Sequence, residues 1–464
     1  MNRQALFRLS LVVFVECLGA LQYGYHLAEL NAPEGYISCR LAPNTHTEID
    51  CIPMDASEVG LVTSIFSVGG LIAATCAGTL AGRYGRRRLS IYSCFPFIAG
   101  SLLMAFASNV RHLQAGRFIT GLGAGTAIVV VPLYLNEISP PNLRGMLGFM
   151  NQFSINIGIL LAQFLGLAYS NFSQWRYILF GGAVIASLNA FLLYFIPESP
   201  KWLVSAGRIE EGRRALQLLR YSVDVEDEFS VYANEEEAEG LLDSSGSNVA
   251  VARTPNQVSI VKFCTAETHR PKFIAVAGVM AFQQLCGVNS IIFYGVSVLA
   301  TLFPQLAPVL NCVISILNCI VTAYSSTIVD KYGRKLLLIS SIAGMAVTSA
   351  LLGFGITHSF PTLSAVSAMM FVVSFAMGLG PIPFMVISEL VPETSVGAAQ
   401  SVGTTINWLA TFLVGLLFPI LQKSMSGQVY YIFSLMGVCG IIFTKYFVPE
   451  TRGKSSMIEI WGTR

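Results

Sequence analysis

The chain has 464 residues and a net charge of +2; 54% of its residues are hydrophobic and only 12% charged, with a mean hydropathy of +0.63. A soluble domain carries about 25% charged residues, so this composition cannot clothe a water-facing surface and sets most of the surface against lipid. No basic, aromatic-interleaved face is present for nucleic acid, and the ten cysteines include no CxxC pair or Cys/His set with metal-ligand spacing, so no metal and no other cofactor is expected.

A helix crossing the hydrocarbon needs roughly 20 mostly apolar residues. Such runs fall at 8–28, 59–80, 89–108, 113–136, 146–168, 176–196, 272–296, 308–329, 336–356, 363–387, 400–420 and 429–447. The first holds Glu16, Gln22 and His26, with Glu29 directly after its last residue, and lacks a small-residue cleavage site, so it reads as a retained span rather than a signal peptide. Gln22, His26 and Glu29, four and three residues apart, share one helical stripe, and ionisable groups inside a span mark a functional site by default. Cys39 and Cys51 lie in the polar stretch that follows. They can pair if that stretch faces an oxidising compartment, which spacing alone leaves open. Gly121, Gly123 and Gly125 in the fourth run suit close helix packing.

After the sixth run, "SPKWLVSAGRIEEGRRALQLLR" has helical periodicity and "EEEAE" at 235–239 extends it, whereas 244–257 is too poor in apolar residues to fold on a core and is expected to be disordered. The expected division is a bundle over 1–196, a loop over 197–271, a second bundle over 272–447 and a tail over 448–464. Placing both termini in the cytoplasm leaves only Arg40, Arg111, Arg117, Arg176 and Lys423 of the 28 basic residues on the opposite side, as the positive-inside rule requires.

The two bundles repeat one another. "GTLAGRYGRRRLSI" at 78–91 aligns with "STIVDKYGRKLLLI" at 326–339, "NEISPPNLRG" at 136–145 with "SELVPETSVG" at 388–397, and "PES" at 197–199 with "PET" at 449–451. All six landmarks fall on the side of the termini. They carry Arg83, Arg86, Arg87, Glu137, Arg144 and Glu198 in the first half, and Asp330, Arg334, Glu389 and Glu450 in the second. Charges at that depth are costly unless paired. Complementary charges on one face predict a latch between the halves that opens as they rock.

These motifs, with "GRFITGLGAG", "PESPKWL", "QQLCGVNSIIFY", "GPIPF", "NW" and "PETRGK", resemble the sugar porter family of the major facilitator superfamily over essentially the whole chain. Span one, "LQYGYHLAELNAP", is similar to facilitative glucose transporters and to a fungal branch associated with vacuolar protein sorting. The resemblance implies an all-α membrane protein of twelve spans in two six-helix halves, with a cytoplasmic helical segment between them and no enzymatic activity. It implies transport of a hexose or related polyol by alternating access, as facilitated diffusion, in the plasma or vacuolar membrane. The expected partners are a small neutral substrate and the bilayer, with the monomer as the working unit. Sugar-contacting positions carry over to Gln152, Gln283, Gln284, Asn289, Asn318, Phe384, Asn407 and Trp408. Amides both donate and accept, which suits a polyhydroxylated ligand.

Two alternatives follow from departures within that pattern. Proton-coupled relatives place an aspartate where His26 stands, paired to an arginine matching Arg117, so His26, Glu29 and Arg117 are candidates for proton coupling. Acidic or amide residues of the family fall at Ala376, Gly82 and Thr411, its span-ten tryptophan at Phe384, and a second-half arginine at Val396. Loss of that arginine predicts that Glu389 lacks its usual partner. Such erosion points to a non-transporting sensor or trafficking protein, although sensors of the family use a longer tail than 448–464.

Overall fold

The computed structural model describes residues 3–41, 50–140, 143–222, 225–226, 228–230, 258–454 and 457–462. Spans one to six are Arg3–Ala28, Ala56–Tyr84, Arg86–Ala105, Val110–Ile138, Arg144–Tyr169 and Trp175–Leu193. Span seven is two helices, Arg270–Leu285 and Val288–Ala300; spans eight and nine are Ala307–Tyr332 and Arg334–Thr357. Span ten is also broken, into Pro361–Met377 and Ile382–Leu390, and spans eleven and twelve are Glu393–Met425 and Val429–Phe447. Each apolar run in the sequence meets one of these. The chain is an integral, multi-pass helical membrane protein. Its outer surface carries exposed Phe7, Phe14, Phe95, Phe191, Phe195, Leu435 and Tyr446, side chains that only lipid solvates well, while the helices satisfy their backbone internally.

Several helices outrun their apolar cores. Span two is capped by Asp55, whose carboxylate accepts from Glu58 N at 2.7 Å while its own N–H donates to Glu58 Oε2 at 3.0 Å, a reciprocal cap that starts the helix ahead of its apolar run. Asn109 caps span four by accepting from His112 N at 3.0 Å. The helix expected after the sixth span is two pieces, Pro200–Ser205 and Ile209–Arg220, divided at Gly207 with φ +73°. The second piece buries Ala215, Leu216 and Leu219 and is tied beneath span four by Arg220 donating to Ile138 O at 3.1 Å. The stretches 235–239 and 244–257 lie outside the described residues.

Glycines bring helices into backbone contact. A Cβ on Gly121 or Gly125 would lie 2.1 Å from the carbonyl oxygens of Phe66 and Gly70 in span two, closer than any real contact. Span seven breaks at Cys286 and Gly287, where Gly287 takes φ +93° and faces the Phe433 ring of span twelve, 2.5 Å from where a Cβ would stand. Span ten breaks over Gly378–Pro381, leaving Leu379 and Gly380 carbonyls without helical partners; the Gln283 amide donates to them at 2.9 and 3.0 Å. Broken helices survive within a bilayer only where protein groups satisfy the freed backbone. Gly287→Val adds a left-handed penalty of about 1–2 kcal/mol to a ring clash. It should lower the melting temperature of the purified protein in detergent by several degrees, and an unchanged melt would refute the packing at this break.

Candidate functional site

The charged motifs assemble one structure twice. In the first half Glu198, just past span six, caps the start of span three: its Oε1 accepts from Arg86 N at 2.9 Å and Arg87 N at 2.8 Å. Glu137 at the end of span four accepts from Arg86 Nη2 at 2.6 Å and from Ser199 Oγ at 2.5 Å. In the second half Glu450 accepts from Arg334 N at 2.9 Å and Lys335 N at 3.1 Å, while Glu389 accepts from Arg334 Nη2 at 2.9 Å and from Thr451 Oγ1. Each carboxylate cap sits on the positive end of a helix dipole, among its unpaired N–H groups.

Gly85 and Gly333 make room for it. Their φ values are +96° and +90°, and a Cβ would stand 2.5 Å from Glu198 Oε2 and 2.8 Å from Glu450 Oε2. Four acids that positive-inside anchoring does not explain thereby acquire partners.

Two expectations bear on these clusters. The ion pairs described in these clusters stay inside each half, Arg86 with Glu137 and Arg334 with Glu389, so in this arrangement they brace each half rather than latch one to the other. Glu389 is also not stranded by Val396, because Arg334 and Thr451 hold it. Arg83 stacks on Tyr84 at 5.4 Å, and Arg87 contributes its backbone N–H to the cap. The side chains of Arg144 and Asp330 lie outside the described residues.

The amides form two groups. In the second half Asn289 donates to Gln284 at 2.7 Å, Gln284 to Asn407 at 3.3 Å, and Asn407 to Gln283 at 2.6 Å. Gln283 then donates to the span-ten break described above. The four amides thus run head to tail across spans seven, eleven and ten. The second group joins the halves: Gln152 donates to Asn156 Oδ1 at 3.4 Å, Asn318 donates to the same oxygen at 3.4 Å, and Asn156 donates to Thr322 Oγ1 at 2.9 Å. Trp408 is buried between Tyr23 and Phe66, with ring centroids 5.8 and 6.0 Å away. Phe384 is half-buried, and its carbonyl accepts from Gln400 at 3.3 Å.

His26, Glu29 and Arg117 meet in full burial. Arg117 donates to His26 O at 2.6 Å and Glu29 Oε1 at 3.0 Å, and lies 4.5 Å over the Phe66 ring. His26 Nδ1 is 3.0 Å from Glu29 Oε2, and the His26 ring stacks on Phe97. Glu16, which sequence left unassigned, accepts from Ser90 Oγ at 2.6 Å.

On the face away from the termini, Asn31 clamps span seven. It donates to Ile292 O at 2.7 Å and Ile291 O at 3.1 Å, and accepts from Val296 N at 2.9 Å. Cys39 and Cys51 are joined in a disulfide. Beside it Arg40 bridges Glu34 at 2.5 Å and Ser297 of span seven at 3.0 Å. Burial pushes the Glu34 carboxyl up from its ordinary value, with Arg40 and Ser38 opposing. Asp50 holds Arg176 through two bonds of 2.7 Å.

Spans two and eleven are pressed together at this end, where a Cβ on Gly60 would stand 2.6 Å from Leu416 O. Gly78 lies 18 positions after Gly60, and Gly397 the same distance before Gly415. That is about five turns along the same helix face, yet a Cβ at either would meet nothing within 4 Å. The two helices splay toward the termini.

Asn31, Asn156, Thr322, Ser199 and Thr451 take part in these arrangements without having been singled out in the sequence. Only the last two were signalled, as the third letters of the repeated "PES" and "PET".

Two six-helix halves, touching at one face and apart at the other around buried amides, define a membrane carrier of the major facilitator fold. The chain belongs to the family described as "Sugar (and other) transporter", which it matches over residues 12–460. A probable metabolite transport protein of Saccharomyces cerevisiae is 40% identical over 98% of this chain and 95% of its own length. Vacuolar protein sorting-associated protein 73 of the same yeast is 34% identical over 96% and 94%. The partially occluded, inward-open xylose transporter XylE of E. coli superposes with a TM-score of 0.78 at 26% identity, covering 97% of this chain and 99% of that one.

Replacing Glu450 by Leu removes the acceptor from the span-nine N-terminus, whereas Gln retains part of it. Charge-assisted bonds of this kind contribute about 1.5–3 kcal/mol. Thermal melts of the two purified variants should rank Gln above Leu, both below the parent, and equal melting of all three would rule out a capping role.

Proposed function

We propose that this protein moves a hexose or related polyol across its membrane by alternating access, as a facilitator. The observation that carries the reading is the head-to-tail run Asn289–Gln284–Asn407–Gln283 beside the breaks of spans seven and ten. Uncharged amides that both donate and accept fit a neutral ligand dense in hydroxyls, and a broken helix at the binding depth is where carriers place their substrate. Gln152 and Asn318 face the ligand from the seam between the halves; Trp408 and Phe384 supply apolar surface for a sugar ring.

The halves 1–196 and 272–447 rock about this point, with 197–271 linking them and 448–464 as the tail. The Asn31 clamp and the splayed inner ends of spans two and eleven support an inward-facing state, and the repeated charge clusters keep each half rigid as it moves. Both termini face the cytoplasm, a placement supported by basic residues on that side and a disulfide on the other. The monomer is the working unit, in the vacuolar or plasma membrane; the yeast relative named for vacuolar protein sorting supports the former.

Purified protein in liposomes should show saturable, trans-stimulated uptake of at least one labelled sugar or polyol. Gln284→Leu should cut that uptake by about 10-fold at sub-saturating concentration. No uptake across hexoses, pentoses and polyols would overturn the carrier reading and favour a sensor or trafficking role.

A second reading, proton-coupled symport, is favoured by one observation: the fully buried His26–Glu29–Arg117 triad. Against it, Arg117 and Glu29 already neutralise one another away from water. A facilitator leaves the pH of weakly buffered medium unchanged while uptake is confirmed in parallel; sugar-driven alkalinisation would establish symport instead.

A further inference from the structure

Halfway along span five, Asn156 is buried in the seam between the halves, one helical turn beyond Gln152. Span eight faces it with Asn318 and Thr322, themselves one turn apart and buried. The three side chains close a ring. Asn156 Nδ2 donates to Thr322 Oγ1 at 2.9 Å, Thr322 Oγ1 donates to Asn318 Oδ1 at 3.4 Å, and Asn318 Nδ2 donates to Asn156 Oδ1 at 3.4 Å. One hydroxyl is therefore inserted between two amides, accepting from one and donating to the other. A ring hydroxyl of a sugar offers that same pair of functions.

Packing alone does not call for this arrangement. An apolar residue at position 156 would fill the seam without any polar group to satisfy, whereas a buried amide requires partners. Two of the three bonds, at 3.4 Å, are longer than the usual hydrogen-bond range. Gln152, half-buried on the same helix, adds a donor to Asn156 Oδ1 at 3.4 Å, so the ring is continuous with a position already assigned to the ligand. The ring also spans both halves, so exchanging its hydroxyl for a ligand's gives the ligand different contacts in different arrangements of the halves, which is the requirement for a ligand to shift a conformational equilibrium.

We propose that Asn156 is a specificity-determining residue. A single ring hydroxyl of the polyol displaces the Thr322 hydroxyl from between Asn156 and Asn318, and so makes that hydroxyl a requirement for transport. The assignment rests on the carrier reading above.

The test is uptake into liposomes of the best-transported sugar and of its complete set of monodeoxy analogues, for the parent protein, Asn156→Val and Thr322→Val. The parent should disfavour one analogue by about 10-fold or more in uptake at sub-saturating concentration, as a site built around a hydroxyl does. Asn156→Val should transport that analogue and the full sugar to within about 2-fold of each other, with KM for the full sugar raised and the maximal rate retained. Thr322→Val breaks the ring but leaves the Asn156 amide, and should keep the discrimination. Asn156→Ser, smaller and polar, serves as the reduced-reach variant should the valine protein not reconstitute, and should show weakened discrimination.

Discrimination unchanged in the Asn156 variants, or lost equally in Thr322→Val, would reduce the ring to a structural tie and overturn the proposal. A parent that transports sugar but ignores every deoxy change overturns the assignment alone. A parent that transports no sugar overturns the carrier reading, and the assignment with it.

Discussion

The fold depends on a carboxylate placed on a helix N-terminus, once in each half. Glu198 and Glu450 accept backbone N–H bonds at the starts of spans three and nine, and their chain neighbours Ser199 and Thr451 reach the acids that end spans four and ten. Three helix ends per half are thereby fixed to one point. The positive end of a helix dipole stabilises such a charge by about 0.3–1 kcal/mol at a surface and up to about 2 kcal/mol when partly buried. The guanidinium of Arg86 or Arg334 then completes the cluster by balancing the second carboxylate. The cluster tolerates no Cβ at Gly85 or Gly333, which is why the glycine and the arginine recur together.

Rigid halves make local breaks useful. Spans seven and ten are interrupted at neighbouring places, and the freed carbonyls of Leu379 and Gly380 are taken by Gln283. That bond commits Gln283 to structure at one end while its carbonyl receives Asn407. The remaining amides, Gln284 and Asn289, are then oriented by a chain of donors all running toward the break. An amide whose partner is fixed has few rotamers open to it, so the chain of bonds sets how Gln284 and Asn289 are oriented. Asn31 grips the other half of span seven by its backbone, so the segment carrying Asn289 answers to both halves.

The buried triad of His26, Glu29 and Arg117 shows how one stretch of sequence supports two mechanisms. A stripe of ionisable groups in a span ordinarily suggests proton traffic. Here the guanidinium contacts a carboxylate, a carbonyl and an aromatic face at once, and these contacts satisfy a structural need: a buried charge must be paired and hydrogen-bonded. Coupling would require that pairing to open during the cycle, which is a property of motion between states.

Much of the fold was legible in the residues. Apolar runs of bilayer length, the basic bias toward one face and a duplicated set of Gly, Arg and Glu gave twelve spans, two related halves and the family, because each is a local or periodic property of the chain. The amides of spans seven and eleven were legible as well, since polar side chains inside a span must face protein. Which acid meets which base was not. The repeat suggested contacts between halves, and the structure closes them within each, because a glutamate's partner is decided by which helix end lies beneath it. Asn156 and Asn31 passed unnoticed for the same reason: a lone amide carries no periodic signature, and its role arises from a carbonyl or hydroxyl more than 150 residues away. Sequence by itself determined the helices, their repetition and their solvent, since hydrophobicity acts along the chain. Tertiary structure alone decided the partners, because hydrogen bonds are short and directional and depend on where distant helices come to lie.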